Sequence, residues 1–361
     1  MGEGLDCRGL NRKAMKSKVS GGESFISIGE NVHTTRVLLR KGKSIVSHEG
    51  RESISYNGLG GETRYLVIPD SFKERQEYKQ GQIKHVMIAT TMAMLGEESS
   101  EAAIDYLHTL VRKQDSAKAS YLDVNVDEIS YKLEEQKKAM RWLVEALQKI
   151  TSTPLSIDSS NIEVIEVGLA AYNNDMPRPL LNSASLERLD ALELAKEYEA
   201  SVVVTAAGDS GMPEGVQGRV ANASEMVESA LSKGFTLDTI FIDPLVFPAS
   251  VDKTFGSHAL DAVAELRGKY GPEIHITGGI SNVSFGIPGR RLVNEVFMIL
   301  MVEAGADGGI IDPVLSNPAE VFSMDRGSDS YRMAEDVILG RDEFCQKYIS
   351  AWRSGNLDVA K

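Results

Sequence analysis

Short apolar segments alternate with longer helix-like segments along most of this chain of 361 residues. In the longer segments, apolar residues recur at the three- and four-residue spacing of an amphipathic helix. Strands that alternate with helices of about 10–15 residues predict parallel β-α-β units. The apolar segments are FISIGE (25–30), LDVNV (122–126), PLSID (154–158), PLLN (179–182), SVVVT (201–205), TIFID (239–243), EIHIT (273–277) and GGIID (308–312).

Eight such units predict an α/β fold, a closed (β/α)8 TIM barrel, rather than an open doubly wound sheet. Barrels of this kind often run long as a single domain. The helical pattern Asp325–Trp352 is expected to cover the last strand as the eighth helix.

Residues 32–85 do not fit the regular alternation, because they separate the first strand from its helix by far more than a usual loop. Alternating apolar and polar residues around Gly-rich turns predict a hairpin-like insertion after the first strand. In the competing interpretation HVMIATT (85–91) is the first strand and residues 1–84 are a separate appendage. We favour the insertion.

Composition excludes several classes of protein. The formal charge of −13 argues against a nucleic-acid surface, which needs a basic face. The N-terminal residues have no apolar signal-peptide core, and no 18-residue apolar run follows, so we expect a cytoplasmic protein with no membrane partner. Cys7 and Cys345 lie far apart, which supports neither a disulfide nor a structural zinc. The six histidines show no ligand spacing, so no metal is expected.

Polar residues stand at the ends of most predicted strands. Such side chains meet at one mouth if the barrel closes. Asp and Asn also cap helices and begin turns, and for each residue taken singly that interpretation stays open. The residues concerned are Glu30, Asp123, Asn125, Asp158, Asn182, Asp243 and Asp312.

The segment Thr277–Asp312 continues the same theme. A strand runs into a Gly-rich turn that carries Ser281 and Asn282, and Arg290 follows eight residues after Asn282. The planar amide of Asn282 offers a donor and an acceptor, which suits recognition of a flat heterocycle such as a pterin.

Six short motifs together resemble the methyltetrahydrofolate:corrinoid methyltransferases and the folate domain of cobalamin-dependent methionine synthase. Each alone is a weak signal, but they occur in the same order and at barrel spacing. They are IGEN (28–31), LDVNV (122–126), IDSSN (157–161), LNSAS (181–185), IDPL (242–245) and SNVS (281–284). The resemblance implies that residues 1–361 form a single pterin-binding barrel domain with residues 32–85 inserted in it.

The resemblance also implies roles for individual residues. Asp158, Asn182 and Asp243 would hold the 2-amino-4-oxo edge of the pterin, and Asn282 would face the reactive ring nitrogen. Asn282 and Asp158 are the catalytic candidates. Further pterin contacts or proton-relay groups would be Glu30, Asp123, Asn125, Ser281 and Arg290.

The implied activity is transfer of a methyl group between tetrahydrofolate and the cobalt of a corrinoid. We expect the direction from methylcorrinoid to tetrahydrofolate, giving 5-methyltetrahydrofolate. The sequence around Glu273 and His275 nearly mimics a corrinoid-binding motif but lies on a predicted barrel strand, so the cobalamin is expected on a separate partner protein. Barrels of this family are often dimers, which makes a homodimer an expectation.

Two other functions stay open at this point. Dihydropteroate synthase is also a pterin barrel, although its lysine-bearing motif is not evident here. A folate-binding protein without turnover is the non-enzymatic alternative. Two residues depart from the family pattern: Phe285 stands where Gln is frequent, and His33 stands where Asn is common after the first strand.

Overall fold

The computed structural model describes residues 25–96, 100–209 and 211–358. The chain divides into two compact units. The N-terminal unit comprises Gly29–Asn182 and Glu197–Ala200, and the C-terminal unit comprises the described residues up to Ile28, Ser183–Lys196 and those from Ser201 onwards. Whether the whole chain behaves as one domain stays a prediction.

Eight strands form the main sheet, and each coincides with a predicted apolar segment. They are β1 (Ile26–His33), β2 (Tyr121–Asn125), β3 (Leu155–Asp158), β4 (Leu180–Ala184), β5 (Ser201–Thr205), β6 (Ile240–Asp243), β7 (His275–Ile276) and β8 (Gly308–Ile311). Their order in the sheet is β7-β6-β5-β4-β3-β2-β1-β8, so every strand lies beside its neighbours along the chain. A parallel bridge between Gly279 and Ile310 links the two ends of this order. The fold is therefore the predicted (β/α)8 barrel.

The strands are apolar because both of their faces are covered. All five residues of β5 are buried. Its parallel register with β6 pairs Val204 with Ile242 and Thr205 with Asp243. Strands covered on both faces are expected to be continuous apolar runs, as these are.

Helices follow the strands close to the predicted positions. They are α1 (His85–Leu95), α2 (Ser100–Ser116), α3 (Leu133–Leu147), α4 (Ile162–Ala170), α5 (Asp190–Glu197), α6 (Gly215–Ser232), α7 (Phe255–Tyr270), α8 (Arg290–Ala304), α9 (Asp329–Ile338) and α10 (Gln346–Arg353). The predicted eighth helix is two helices, because the chain turns between them at Phe344 and Cys345, whose φ angles are 54° and 55°. Among the described residues, no helix combines the length and the apolar character that a membrane crossing requires.

The segment after β1 contains a three-stranded antiparallel sheet formed by Ile45–His48, Arg51–Asn57 and Thr63–Val67. Its central strand places Ile54 opposite Leu66, and both are buried. Residues 85–91 lie in helix α1, so the competing interpretation of HVMIATT as the first barrel strand is wrong. That helix is buried along most of its length, which explains an apolar run without amphipathic spacing.

Cys345 is a buried free thiol, and Cys7 lies outside the described residues.

Candidate active site

Three predicted site residues stand side by side at the carboxyl ends of neighbouring strands in the N-terminal unit. Asn125 on β2 pairs in register with Asp158 on β3, and Asp158 pairs with Asn182 on β4. In-register residues of parallel strands present their side chains at one level and on one face. We call Asn125, Asp158 and Asn182 the strand-end row.

Hydrogen bonds connect this row to Asp123. The Nδ2 of Asn125 donates to the Oδ2 of Asp158 at 2.8 Å. The Nδ2 of Asn182 lies 3.4 Å from the Oδ1 of Asp123, which precedes Asn125 by two residues on the same face of β2. Asp123 is fully buried and the two asparagines are nearly so. Amide donors therefore orient both carboxyl groups.

A histidine completes the cluster. The Nε2 of His33, at the end of β1, lies 2.8 Å from the Oδ2 of Asp123. Burial disfavours a charged imidazole, but the hydrogen bond to Asp123 and the charges of Asp123, Asp158 and Glu30 outweigh it, raising the pKa of His33 to about 9. At neutral pH the ring is an imidazolium that donates to Asp123.

The ligand-type atoms of His33, Asp123 and Asp158 lie within 4.8 Å of one another, a spacing that also suits a metal ion. In this structure, however, the Nε2 of His33 and the Oδ2 of Asp123 are hydrogen bonded to each other. That hydrogen bond forms an ion pair beside the Asp158 carboxyl group. The histidine spacing in the sequence did not anticipate this cluster, because its members come from three strands.

The electrostatics of Asp158 follow from the same neighbours. Burial, and next the nearby charge of Asp123, raise the pKa of Asp158 to about 7, against the opposing effects of His33 and the hydrogen bond from Asn125. A carboxyl group that titrates near neutral pH can accept or release a proton during a reaction.

Glu30 lies on β1 and pairs with Arg36, whose Nη1 is 3.2 Å from the Oε1 of Glu30. It contributes to the charge around His33. Its place beside the cluster is compatible with the proton-relay role that the resemblance implies, which stays a prediction.

In the C-terminal unit, Asp243 ends β6. Its Oδ1 accepts a hydrogen bond from the backbone nitrogen of Leu245 at 2.8 Å, which closes a turn in which Leu245 has a φ of 63°. Gly278 passes beside this carboxyl group with a φ of 154°, and a Cβ there would lie 3.3 Å from the Oδ1 of Asp243. Glycine therefore suits this position because it tolerates the positive φ and because it has no Cβ to crowd the Asp243 carboxyl group.

A buried arginine lies behind Asp243. Arg219 on α6 is fully buried; its Nη1 donates to the carbonyl of Gly215 at 2.8 Å and its Nε to the carbonyl of Leu245 at 3.3 Å. Burial raises the pKa of Asp243 to about 6, and the hydrogen bond from Leu245 and the charge of Arg219 hold it from rising further. Arg219 was not among the predicted site residues, since nothing in its helical segment distinguishes it from a surface arginine.

Asn282 lies in the 3-10 turn Ile280–Ser284, and its side chain is exposed. Gly279 permits its position, because a Cβ there would lie 2.8 Å from the Nδ2 of Asn282. The turn is held by Arg290, whose Nη2 donates to the carbonyl of Ser281 at 2.7 Å and whose Nε donates to the Oγ of Ser284 at 3.0 Å. Asn282 is thus an exposed amide on a fixed turn.

Some polar residues that end strands or begin loops form turns or cap helices. Asp312 accepts hydrogen bonds from the backbone nitrogens of Val314 and Leu315, so it begins a turn. Asn161 caps helix α4 by accepting from the nitrogen of Glu163. For Asp312, the turn interpretation is correct.

The family profile described as "Pterin binding enzyme" matches residues 96–312, which is more than half of the chain. This chain belongs to the pterin-binding enzymes. Two relatives within the family have sequences similar to that of this pterin-binding enzyme. Methylcorrinoid:tetrahydrofolate methyltransferase of Eubacterium limosum is 31% identical over 269 residues, covering 72% of this chain and 91% of that protein. Methionine synthase of Mycobacterium leprae is 28% identical over 218 residues, covering 56% of this chain and 17% of that protein. The resemblance inferred from the six motifs is confirmed.

Among solved structures, the pterin-binding enzyme is similar to dihydropteroate synthase of Xanthomonas albilineans, with a TM-score of 0.48 and 18% identity over 63% of this chain and 86% of that one.

The near-corrinoid motif around His275 has a structural explanation. The Nδ1 of His275 lies 2.8 Å from the Oδ2 of Asp307, whose Oδ1 accepts from the backbone nitrogen of Ile276 and from the Nη2 of Arg267. His275 on β7 therefore belongs to a hydrogen-bonded network of the barrel.

Proposed function

We propose that this pterin-binding enzyme is a methyltransferase that moves a methyl group between tetrahydrofolate and the cobalt of a corrinoid carried by a separate protein. The relative from Eubacterium limosum is named for a reaction between these two reactants. The observation that carries the proposal is the strand-end row, in which Asp158 stands between two nearly buried amides on adjacent strands.

The row is chemically complementary to a reduced pterin. The 2-amino-4-oxo edge presents N–H donors beside a carbonyl acceptor. A carboxylate accepts from the N–H groups, and an amide pairs with a mixed donor and acceptor edge. We assign the carboxylate role to Asp158 and the amide role to Asn182, with Asn125 holding Asp158. Asp243, also partly buried, is the second carboxylate contact.

Asn282 is assigned to the reactive nitrogen. A methylated corrinoid supplies a methyl group that transfers without its bonding electron pair, which stays on cobalt. In the direction from methylcorrinoid to tetrahydrofolate, N5 attacks the methyl carbon, the new N–C bond forms, and the N5 proton leaves. The amide oxygen of Asn282 accepts that N–H as its acidity develops, and the Asp158 carboxylate offers a proton acceptor. No covalent enzyme intermediate is required.

Arg290 keeps the turn of Asn282 in place by donating one hydrogen bond to the carbonyl of Ser281 and one to the Oγ of Ser284. We assign Ser281 and Arg290, together with Glu30, to the surroundings of the bound folate. Phe285 follows Asn282 by three residues and is 64% exposed. The corrinoid protein must approach the methyl-accepting nitrogen, so we place it on the side of the molecule where Asn282 is exposed.

The substitution Asn282→Ala tests the assignment. Methyl transfer from methylcobalamin to tetrahydrofolate should fall by roughly 10²–10³-fold, the usual effect of removing one hydrogen bond made to developing charge. Folate affinity should change little, because Asp158, Asn182 and Asp243 remain. Asn356→Ala, which alters an exposed asparagine near the C-terminus, is the matched control. Unchanged transfer by Asn282→Ala would contradict the mechanism.

The same protein preparation can be tested for dihydropteroate synthase activity, the alternative pterin reaction. Incubation with p-aminobenzoate and a pterin pyrophosphate should release no pyrophosphate. Pyrophosphate release would support a dihydropteroate synthase activity instead.

A further inference from the structure

His33 is a charged group of intermediate exposure that the proposed pterin contacts do not use directly. Its side chain is 12% exposed, and the Asp123 carboxyl group that it contacts is 0% exposed. As an imidazolium, His33 places a cation beside the two carboxyl groups of Asp123 and Asp158.

Resting on the proposed function, we propose that His33 is a positioning residue: as an imidazolium paired with Asp123, it keeps Asp158 in the carboxylate form that accepts hydrogen bonds from the pterin.

The geometry requires such a countercharge. Asp123 and Asp158 offer oxygen atoms within 4.8 Å of each other and of the His33 ring. Two buried carboxyl groups at this distance do not both ionise readily, and one takes up a proton unless a cation is near. His33 is that cation, because its Nε2 is hydrogen bonded to Asp123 and faces Asp158 across the ends of three strands.

The other charged groups around the cluster are acidic or already paired. Asp127, in the loop after β2, acts on Asp158 but accepts hydrogen bonds from Ser159 and Ser160. Glu30, on the strand of His33, is paired with Arg36. The like-charged neighbours of Asp158 thus favour its protonation, and His33 opposes them.

The protonation of Asp158 then controls pterin binding. A carboxylate accepts from both the 2-amino group and the ring N–H, whereas a carboxylic acid has one oxygen occupied by its own proton. With the pKa of Asp158 near 7, folate affinity should rise as the pH rises through neutrality. Folate binding below that pH should release a proton. Without the imidazolium, the same rise should occur at higher pH.

Calorimetric titration of tetrahydrofolate, under anaerobic conditions from about pH 5.5 to about pH 9, tests this directly, since the range spans the titrations concerned. His33→Asn should move the midpoint of the affinity curve upward by about one pH unit or more, as expected for loss of one opposite charge within 4–6 Å. His33→Lys should return the midpoint towards that of the original protein, because it restores a cation. His48→Asn makes the same change at a half-exposed histidine of the same unit and should leave the midpoint in place.

A merely structural role for His33 would weaken binding equally at every pH, and that result would overturn the inference. An unchanged midpoint in His33→Asn would overturn it as well. Titration of the ligand itself is common to all the proteins and cancels in the comparison.

If the original protein binds no tetrahydrofolate at any pH, the proposed function fails. The inference is then decided on the ligand-free protein, by ¹³C NMR of the Asp158 carboxyl carbon. Titration of that carbon at higher pH in His33→Asn than in the original protein would support the electrostatic role, and coincident titrations would overturn it.

Discussion

The Nδ2 of Asn125 lies 2.8 Å from the Oδ2 of Asp158, and the two residues are register partners on β2 and β3. The amide therefore holds the carboxyl group in place through both a hydrogen bond and the backbone pairing. It also favours the ionised form, because it donates to the oxygen that would otherwise carry the proton.

Replacement of Asn125 by Leu should weaken folate binding. The shape is nearly conserved, but a buried donor to a charged acceptor is lost, at a cost of roughly 1.5–3 kcal/mol. Because this hydrogen bond also orients Asp158 and favours its ionised form, we expect about a tenfold rise in the dissociation constant for tetrahydrofolate at neutral pH, measured by calorimetry. Asn356→Leu, at an exposed position, should bind as the original protein does. Equal affinities for both variants would refute the role of Asn125.

Asp158→Asn should stabilise the ligand-free protein at alkaline pH. The pKa of Asp158 is about 7 in the folded protein and about 3.9 when unfolded, so folding favours the protonated form. The contribution of Asp158 to the free energy of unfolding is therefore most favourable at acid pH, where the group is protonated in both states. This contribution is lost as the pH rises from about 4 to about 7.

We expect Asp158→Asn to raise the free energy of unfolding at about pH 8 by roughly 1–3 kcal/mol, and by less at about pH 5, in urea denaturation followed by circular dichroism. Folate binding should be lost, as expected where a site is built at the expense of stability. A variant that is less stable at the higher pH would show that the carboxylate is a net stabilising group.

Arg219→Met should destabilise the protein and weaken folate binding together. Loss of the guanidinium removes the hydrogen bonds to Gly215 and Leu245 and leaves Asp243 without its buried countercharge. Loss of buried hydrogen bonds from a charged donor costs roughly 1.5–3 kcal/mol. Arg353→Met, at an exposed arginine on α10, should change the unfolding free energy by less than about 0.5 kcal/mol. Similar denaturation midpoints for the two variants would argue against the role of Arg219.

Gly279→Ala should impair methyl transfer more than folate binding. The backbone φ of −71° accepts alanine, but the new Cβ would lie 2.8 Å from the Nδ2 of Asn282 and displace its amide. We expect kcat to fall by about 10-fold or more, since small misplacements of catalytic groups have large effects, with a smaller change in the folate dissociation constant. Gly268→Ala, within helix α7 where a Cβ meets nothing within 4 Å, is the control. A variant with full kcat would show that the amide position is unimportant.

The barrel was predictable because its signals are local. Strands such as SVVVT and the helices between them follow from apolar periodicity, and the observed β5 has the predicted bounds of Ser201 and Thr205. The interpretation of residues 85–91 as a strand arose because this apolar run is a helix buried along most of its length. Apolar periodicity does not distinguish such a helix from a buried strand. The turn at Phe344 and Cys345 was missed, since neither residue type announces a positive φ.

Site residues on strand ends were found from sequence, whereas their countercharges were not. Asp158 and Asn182 stand in recognisable motifs that follow apolar strands. His33 appeared only as a departure from the family, because its partner Asp123 is 90 positions away along the chain. Arg219 is one residue of an ordinary helical segment, and only tertiary structure shows that it is buried behind Asp243.

The proposed methyl transfer can be observed by mixing the protein with methylcobalamin and tetrahydrofolate under anaerobic conditions and following the cobalamin absorbance spectrum. We expect the methylcobalamin spectrum to be lost as a reduced cobalamin appears, and 5-methyltetrahydrofolate to accumulate in equal amount, at a rate proportional to protein concentration. An unchanged spectrum, in a preparation that binds tetrahydrofolate and has been supplied with either free or protein-bound methylcorrinoid, would contradict the proposed methyl transfer.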